Sequence, residues 1–216
     1  MDAMDFINFL FRWAHVLFGI TWIGFLYYFN FVQGGYFKQA TPEALSDAKA
    51  KLAPSALWWF RWGAMFTFLT GLVLLAAIGK QSVLNDFIVV GALLGTLMFL
   101  NVWVIIWPNQ KIALGIVQGG DAPAAGAKAL LASRTNTLFS APMAYCMLAS
   151  PHLGYSSEHI LSANGGGTGL IIALVIVAAL EVNAIVGKQG PMASVKGVIM
   201  HSIILTAVLG GVLHLL

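Results

Sequence analysis

The sequence predicts an all-α fold: a polytopic membrane helix bundle with about six transmembrane helices. Two observations lead there. Of the 216 residues, 59% are hydrophobic and 9% are charged, whereas a soluble domain carries about 25% charged residues. Such a chain cannot cover a water-facing surface, so a lipid bilayer must cover much of it. The second observation is the recurrence of apolar runs near the ~20 residues that cross hydrocarbon. They cover about 6–33, 57–78, 84–107, 129–150, 169–187 and 196–216 within one membrane domain, 1–216. In lipid the backbone must satisfy itself, which leaves helices or closed barrels. Barrel strands alternate over ~10 residues, and these runs do not alternate.

The first run follows Asp2 and Asp5 rather than a basic start. No small-residue cleavage site follows it, so it is expected to stay as a membrane helix. Thr41-Pro42-Glu43 is a cap with proline at the first helical position. It predicts a short surface helix over 41–53, in the loop before the second span. The third span is expected to stop at Pro108, which cannot continue the hydrogen-bond ladder. The segment 164–169 (NGGGTG) lacks a Lys-Ser/Thr and follows no strand. It reads as a flexible outer loop rather than a phosphate cradle, and His159 lies in that same loop.

Charge sets the expected orientation. The loops joining spans one to two, three to four and five to six share one side. That side carries Lys38, Lys49, Lys51, Arg61, Lys111, Lys128, Arg134, Lys188 and Lys196, against Arg12 and Lys80 on the other. Positive charge stays inside, so both termini are expected outside, in the periplasm of a Gram-negative cell. Trp58, Trp59, Trp62, Trp103 and Trp107 gather at the inner interface, as an aromatic belt does. The net charge of +3 gives no footprint for nucleic acid. The single cysteine, Cys146, leaves no internal disulfide and no C-x-x-C-H haem attachment in this sequence.

Ionisable residues inside a membrane are costly and mark candidate sites. Arg61, Asn101, Arg134, Glu181 and His201 lie at one inner depth on five different helices, with Asn136 and Asn183 close by. They suggest either a polar pocket suited to a planar anion, through two arginine forks, or one Arg–Glu pair with snorkelling neighbours. An outer level holds His15, His152 and His214. Neutral imidazole ligates haem iron. His15, Gly19 and Trp22 share one helix face, and the glycine leaves room for a flat macrocycle. A buried histidine bonded to a carbonyl, with Gly19 serving helix packing, accounts for the same pattern. Met143 and Met147 form an i, i+4 pair that suits core packing, or copper if histidines gather near it.

Four segments in order carry a family resemblance. They are 12–33 (RWAHVLFGITWIGFLYYFNFVQ), 61–75 (RWGAMFTFLTGLVLL), 101–111 (NVWVIIWPNQK) and 134–152 (RTNTLFSAPMAYCMLASPH). Together they resemble the membrane domain of bacterial cytochrome c-linked urate oxidases, over roughly 6–152 and weakly over the last two spans. Asn136, Pro142 and His152 match family positions, whereas Thr135 stands where the family pattern has a histidine. The first helix also distantly resembles membrane haem proteins of the protoporphyrinogen oxidase and copper-resistance D types.

The resemblance implies an oxidoreductase of a bacterial inner membrane. Urate would meet Arg61, Arg134, Asn101 and Asn136, with Glu181 or His201 as proton acceptor. Haem b would be held by His15, with His152 and His214 as further candidates. Electrons would leave for a separate cytochrome c, and no metal is expected beyond haem iron. The other reading is a non-catalytic haem-binding or structural subunit of a larger respiratory or photosynthetic electron-transfer complex.

Overall fold

The computed structural model describes residues 3–154, 159–161 and 166–216. Helix α1 (Ala3–Tyr27) runs through a π-helical segment, Tyr28–Gln33, into α2 (Gly34–Gln39). Helix α3 (Pro42–Asp47) runs through a second π-helical segment, Ala48–Leu52, into α4 (Ala53–Lys80). Helix α5 (Asp86–Leu100) continues through a third, Asn101–Ile106, into α6 (Trp107–Ala113). Then come α7 (Ala122–Leu153), α8 (Thr168–Val186), a 3₁₀ turn at Gly190–Ala193, and α9 (Val195–Leu215). Among the described residues the strand-like pairing is one isolated bridge, Asn85 to Ile160.

Side-chain caps set several helix starts. Thr41, Asn85, Asp121 and Ser194 each accept the backbone N–H three residues on, at 3.4, 3.0, 3.0 and 2.9 Å. The Thr41 cap forms as expected, but its helix is not a separate surface piece. The π-helical turn carries it into α4, so one helical rod runs from Pro42 to Lys80. Pro108 likewise does not end its span. It sits in the first turn of α6, where a missing N–H costs little. Of the expected outer loop 164–169, residues 164 and 165 lie outside the described residues.

Among the described residues, five helical rods are long and apolar enough to cross a membrane: Ala3–Gln39, Pro42–Lys80, Asp86–Ala113, Thr168–Val186 and Val195–Leu215. The sixth expected span falls in α7, which is not among them. Its apolar run is broken by Arg134, Thr135, Asn136, Thr137, Ser140 and Ser150, all buried. Helix α7 is therefore the polar centre of the bundle, and its neighbours present apolar faces outward. Val16, Ile20, Val104, Ile171 and Ile203 are among the exposed residues of that outer surface.

The bundle is built from two tight pairs, α1 with α4 and α5 with α7, with α9 packed on the far side of α7. Small residues allow the close approaches, as between membrane helices in general. A Cβ at Gly63 of α4 would lie 3.1 Å from the backbone nitrogen of Trp22, and one at Gly91 of α5 would lie 3.2 Å from Cβ of Cys146. Trp22, Phe60, Phe87, Phe139, Leu94 and Met98 fill the core.

Candidate functional site: a lined cavity and an inner amide network

A cavity of about 520 Å³ lies between the α1/α4 pair and the α5/α7 pair. That is within the roughly 300–1,000 Å³ range of small-molecule and cofactor sites. From α1 it is lined by Asn8, Arg12, His15, Gly19 and Trp22. These positions follow a 4-3-4-3 spacing and so form one helix face. Leu72 and Leu75 of α4, and Met143 and Met147 of α7, supply apolar wall.

His15 is fixed in this wall. Its Nδ1 lies 2.9 Å from the Thr67 carbonyl oxygen and 3.2 Å from Thr70 Oγ1. A carbonyl only accepts, so Nδ1 carries the proton, and in the neutral ring Nε2 keeps its lone pair. Helix α4 makes room for the ring by having glycine at 71, where a Cβ would stand 3.0 Å from His15 Cε1. Trp22 is 2% exposed, lines the same cavity, and its indole N–H has no hydrogen-bond partner among the described residues. The residues fit a haem b. His15 lines an apolar cavity and its Nε2 has no hydrogen-bond partner among the described residues, while Arg12 and Asn8 on the same wall are donors suited to carboxylates.

The other outer histidines do not join His15. His152 is exposed at the end of α7 and is not among the residues that line the cavity. His214 accepts from or donates to the Tyr145 hydroxyl at 3.1 Å, with its ring 4.8 Å from Phe87 and 5.9 Å from His159. It sits on the α7/α9 side, against a different face of α7. Among the described residues, no three His, Cys, Asp or Glu side chains gather as a metal-ion site.

The inner level divides. Asn101, in the third π-helical segment, donates to Asn136 Oδ1 at 3.0 Å and to Glu181 Oε2 at 3.2 Å. Asn136 donates to the Met98 carbonyl at 2.9 Å. Helices α5, α7 and α8 are thereby joined through one amide–carboxylate network in the apolar interior. Arg134 does not enter it. Two positions along α7 is about 200° of rotation, and Arg134 shares its face with Leu138, Ala141 and Tyr145. That face meets α9: the Ser202 hydroxyl donates to the Leu138 carbonyl at 2.8 Å, and a Cβ at Gly210 would lie 3.0 Å from Tyr145.

Arg134 is 8% exposed, and its Nε and Nη1 have no hydrogen-bond partner among the described residues. Arg61 stacks on Trp107, its Cζ 3.3 Å from the ring centroid, a cation–π contact. The ion pair found among the described residues is Lys51 with Asp47, which involves neither arginine. The Arg–Glu181 pair expected as one alternative is therefore not formed. Glu181 is held by an amide, and neither arginine has an acidic partner among the described residues. His201 donates from Nδ1 to the Gly197 carbonyl at 2.8 Å, one turn back on its own helix. Asn183 caps the end of α8, exchanging hydrogen bonds with the Lys188 backbone at 3.1 and 3.3 Å.

Several partners were not foreseen. Asn30, in the first π-helical segment, is 3% exposed and donates to Ser133 Oγ at 2.8 Å. Tyr27 shares a 2.8 Å hydrogen bond with Ser140. An amide set within the aromatic run FLYYFNF was the available signal for Asn30. Two of the three π-helical segments thus carry a buried asparagine, consistent with π-turns marking functional positions.

Against this geometry, comparison with known proteins is decisive for the family. The family model described as "Urate oxidase N-terminal" matches residues 80–209, more than half of the 216 residues. The chain belongs to the urate oxidase N-terminal family. No curated protein and no solved structure matched. The matched stretch reaches further toward the C-terminus than the resemblance read from the sequence. It takes in α8 and most of α9, and leaves out α1 and all of α4 but Lys80. The amide–carboxylate network of this urate-oxidase-family domain lies wholly inside the match. The cavity has its α5/α7 wall inside and its α1/α4 wall outside.

Proposed function

We propose that this urate-oxidase-family domain is a membrane redox module. It takes urate at the inner Asn101–Asn136–Glu181 network, holds haem b through His15, and serves a separate cytochrome c on the outer side. The observation that carries the reading is His15, held by the Thr67 carbonyl with Nε2 free on the wall of an apolar 520 Å³ cavity. A carbonyl partner on the far nitrogen is what fixes and orients an iron-binding imidazole. When bound there, haem supplies a one-electron store between substrate and acceptor.

The residues around it divide the remaining tasks. Asn101 and Asn136 are the amides that would exchange their present partners for the hydrogen-bonding rim of a purine. Glu181 is the carboxylate of the network and, as the base, accepts a proton that urate gives up on oxidation. Arg61 and Arg134, without acidic partners, attract an anion into a low-dielectric site. In this reading the chain crosses a bacterial inner membrane six times, with α7 as the sixth span, both termini outside and the lysine-rich loops inside, and the network faces the cytoplasm.

The test is a visible spectrum of the purified protein with urate as the sole reductant. The expected result is a b-type spectrum that urate reduces. Protein carrying no haem overturns the redox reading. Haem that dithionite reduces and urate does not reassigns the chain to a non-catalytic haem-binding subunit.

A further inference from the structure

We propose that Arg61 and Lys111, gathered on the Trp107 indole, bind the phosphate group of an anionic phospholipid. None of the three lines the cavity that holds His15, and the site needs neither haem nor urate. Helix α4 supplies Arg61, the third π-helical segment Trp103, and α6 Trp107 and Lys111. The Arg61 Cζ stands 3.3 Å from the Trp107 centroid and 5.9 Å from that of Trp103. At 3.3 Å no nitrogen fits between guanidinium and ring. The guanidinium plane therefore lies along the indole, with its N–H groups directed around the rim. The Lys111 Nζ is 5.6 Å from the same Trp107 centroid, so two cations crowd one ring.

Neither cation has an acidic partner among the described residues, and the buried Arg61 Nε and Trp103 indole N–H have no hydrogen-bond partner there. A snorkelling pair would carry both charges apart into water. Here the guanidinium lies flat on an indole, and the π-face attraction leaves its donors unused. An anion that accepts from both cations relieves their repulsion. Phosphate has the oxygens to do so, two for the guanidinium fork and another for the ammonium. The surroundings favour a lipid over a soluble phosphate. Trp58 packs on Trp62 at 6.3 Å and Trp62 on Trp103 at 5.8 Å. Trp58 is exposed on this aromatic floor, as are Leu100 and Val104 beside Trp103, which offers acyl chains an apolar wall next to the charges. Basic pockets between helices on the inner side of a membrane take anionic headgroups, and the loop charges expect this end of the bundle to lie inside. A lipid held here neutralises Arg61 and leaves Arg134 to attract a substrate anion.

The test uses the full chain, purified in detergent and stripped of lipid. It is titrated with phosphatidylglycerol, phosphatidylcholine or soluble glycerol phosphate, and bound species are counted by native mass spectrometry. Phosphatidylglycerol should bind roughly tenfold or more tightly than either of the others. Arg61→Gln and Lys111→Gln should each weaken phosphatidylglycerol about fivefold, the usual worth of one cation near a membrane surface, and leave phosphatidylcholine unchanged. Lys80→Gln, at the other end of α4, should match wild type. If Arg61→Gln does not fold, Lys111→Gln decides alone. Equal binding of the two lipids overturns the site, as does either glutamine variant that keeps the full preference, or an equal loss in Lys80→Gln. Glycerol phosphate that binds as tightly as phosphatidylglycerol overturns the lipid assignment. None of these readouts depends on haem content, so the redox reading stands or falls separately.

Discussion

His15 and Thr67 are joined across the α1–α4 contact by a hydrogen bond from imidazole Nδ1 to a backbone carbonyl, at 2.9 Å. The acceptor is main chain, so no substitution at 67 removes it directly. The ring can be displaced instead from the other side. A side chain at Gly71 begins 3.0 Å from His15 Cε1, and a leucine there would also fill cavity. Gly71→Leu is expected to insert normally and to lower haem content roughly 10- to 100-fold, the usual scale when the support of a metal-binding histidine is disturbed. His15→Ala should abolish b-type absorbance. Haem-to-protein ratios measure both, and a Gly71→Leu protein with full haem would contradict the wall geometry.

Topology provides a second prediction. Five spans put the termini on opposite sides of the membrane and six put them on the same side, so the question turns on α7. Its 32 residues are about 48 Å long, enough for a ~30 Å core, and its polar side chains are sheltered by neighbours. A reporter active only in the cytoplasm should work when fused after Lys51 and fail when fused after Leu216. Activity at Leu216 alone would reverse the orientation, and activity at both sites would take α7 out of the membrane.

The helices were legible because apolar run length and charge asymmetry are local properties. The five apolar rods and the Thr41 cap follow from them directly. The π-helical segments were not legible: nothing in ALSDAKAKLA distinguishes a π-turn from a loop, so Pro42–Lys80 read as two pieces. The inner residues share a depth, as rise per residue predicts, but depth says nothing of rotation. Asn136 and Arg134 were grouped on depth, although about 200° separates them around α7. His15 was legible as a candidate from its stripe. Its orienting partner was not, because a backbone carbonyl leaves no signature in sequence.

Arg134 separates a structural from a functional role. A buried guanidinium without acidic partner costs stability, and apolar replacement of buried charge is often neutral or stabilising by about 1–4 kcal/mol. Arg134→Met should therefore resist denaturant as well as wild type or better. Its urate affinity should nonetheless fall. If the guanidinium charge acts at a range of about 10 Å, at an effective dielectric constant of ~20, its loss removes on the order of 1.5–2 kcal/mol, or roughly tenfold in binding. Equilibrium unfolding and urate titration on the same preparation measure the two quantities. Loss of stability with unchanged affinity would make Arg134 a structural residue.

Glu181 carries the last prediction. Its Oε2 accepts from Asn101 at 3.2 Å, and the amide oxygen of glutamine can accept the same hydrogen bond. Glu181→Gln should thus preserve the network and change stability by less than about 1 kcal/mol, the net worth of a typical hydrogen bond. It removes the group that takes a proton. If Glu181 acts as the base, urate still binds, and urate-driven reduction slows by roughly 10²- to 10⁴-fold, the usual contribution of a positioned general base. Asn136→Leu is the contrasting variant. It removes the partners of Asn101 and the Met98 carbonyl, and each buried group left unpaired costs about 1–3 kcal/mol. Stopped-flow reduction by urate, set beside unfolding curves for both variants, distinguishes them. A Glu181→Gln protein that unfolds early yet reduces at the wild-type rate would mark the carboxylate as a structural link between α5 and α8, and proton transfer would then have to begin elsewhere.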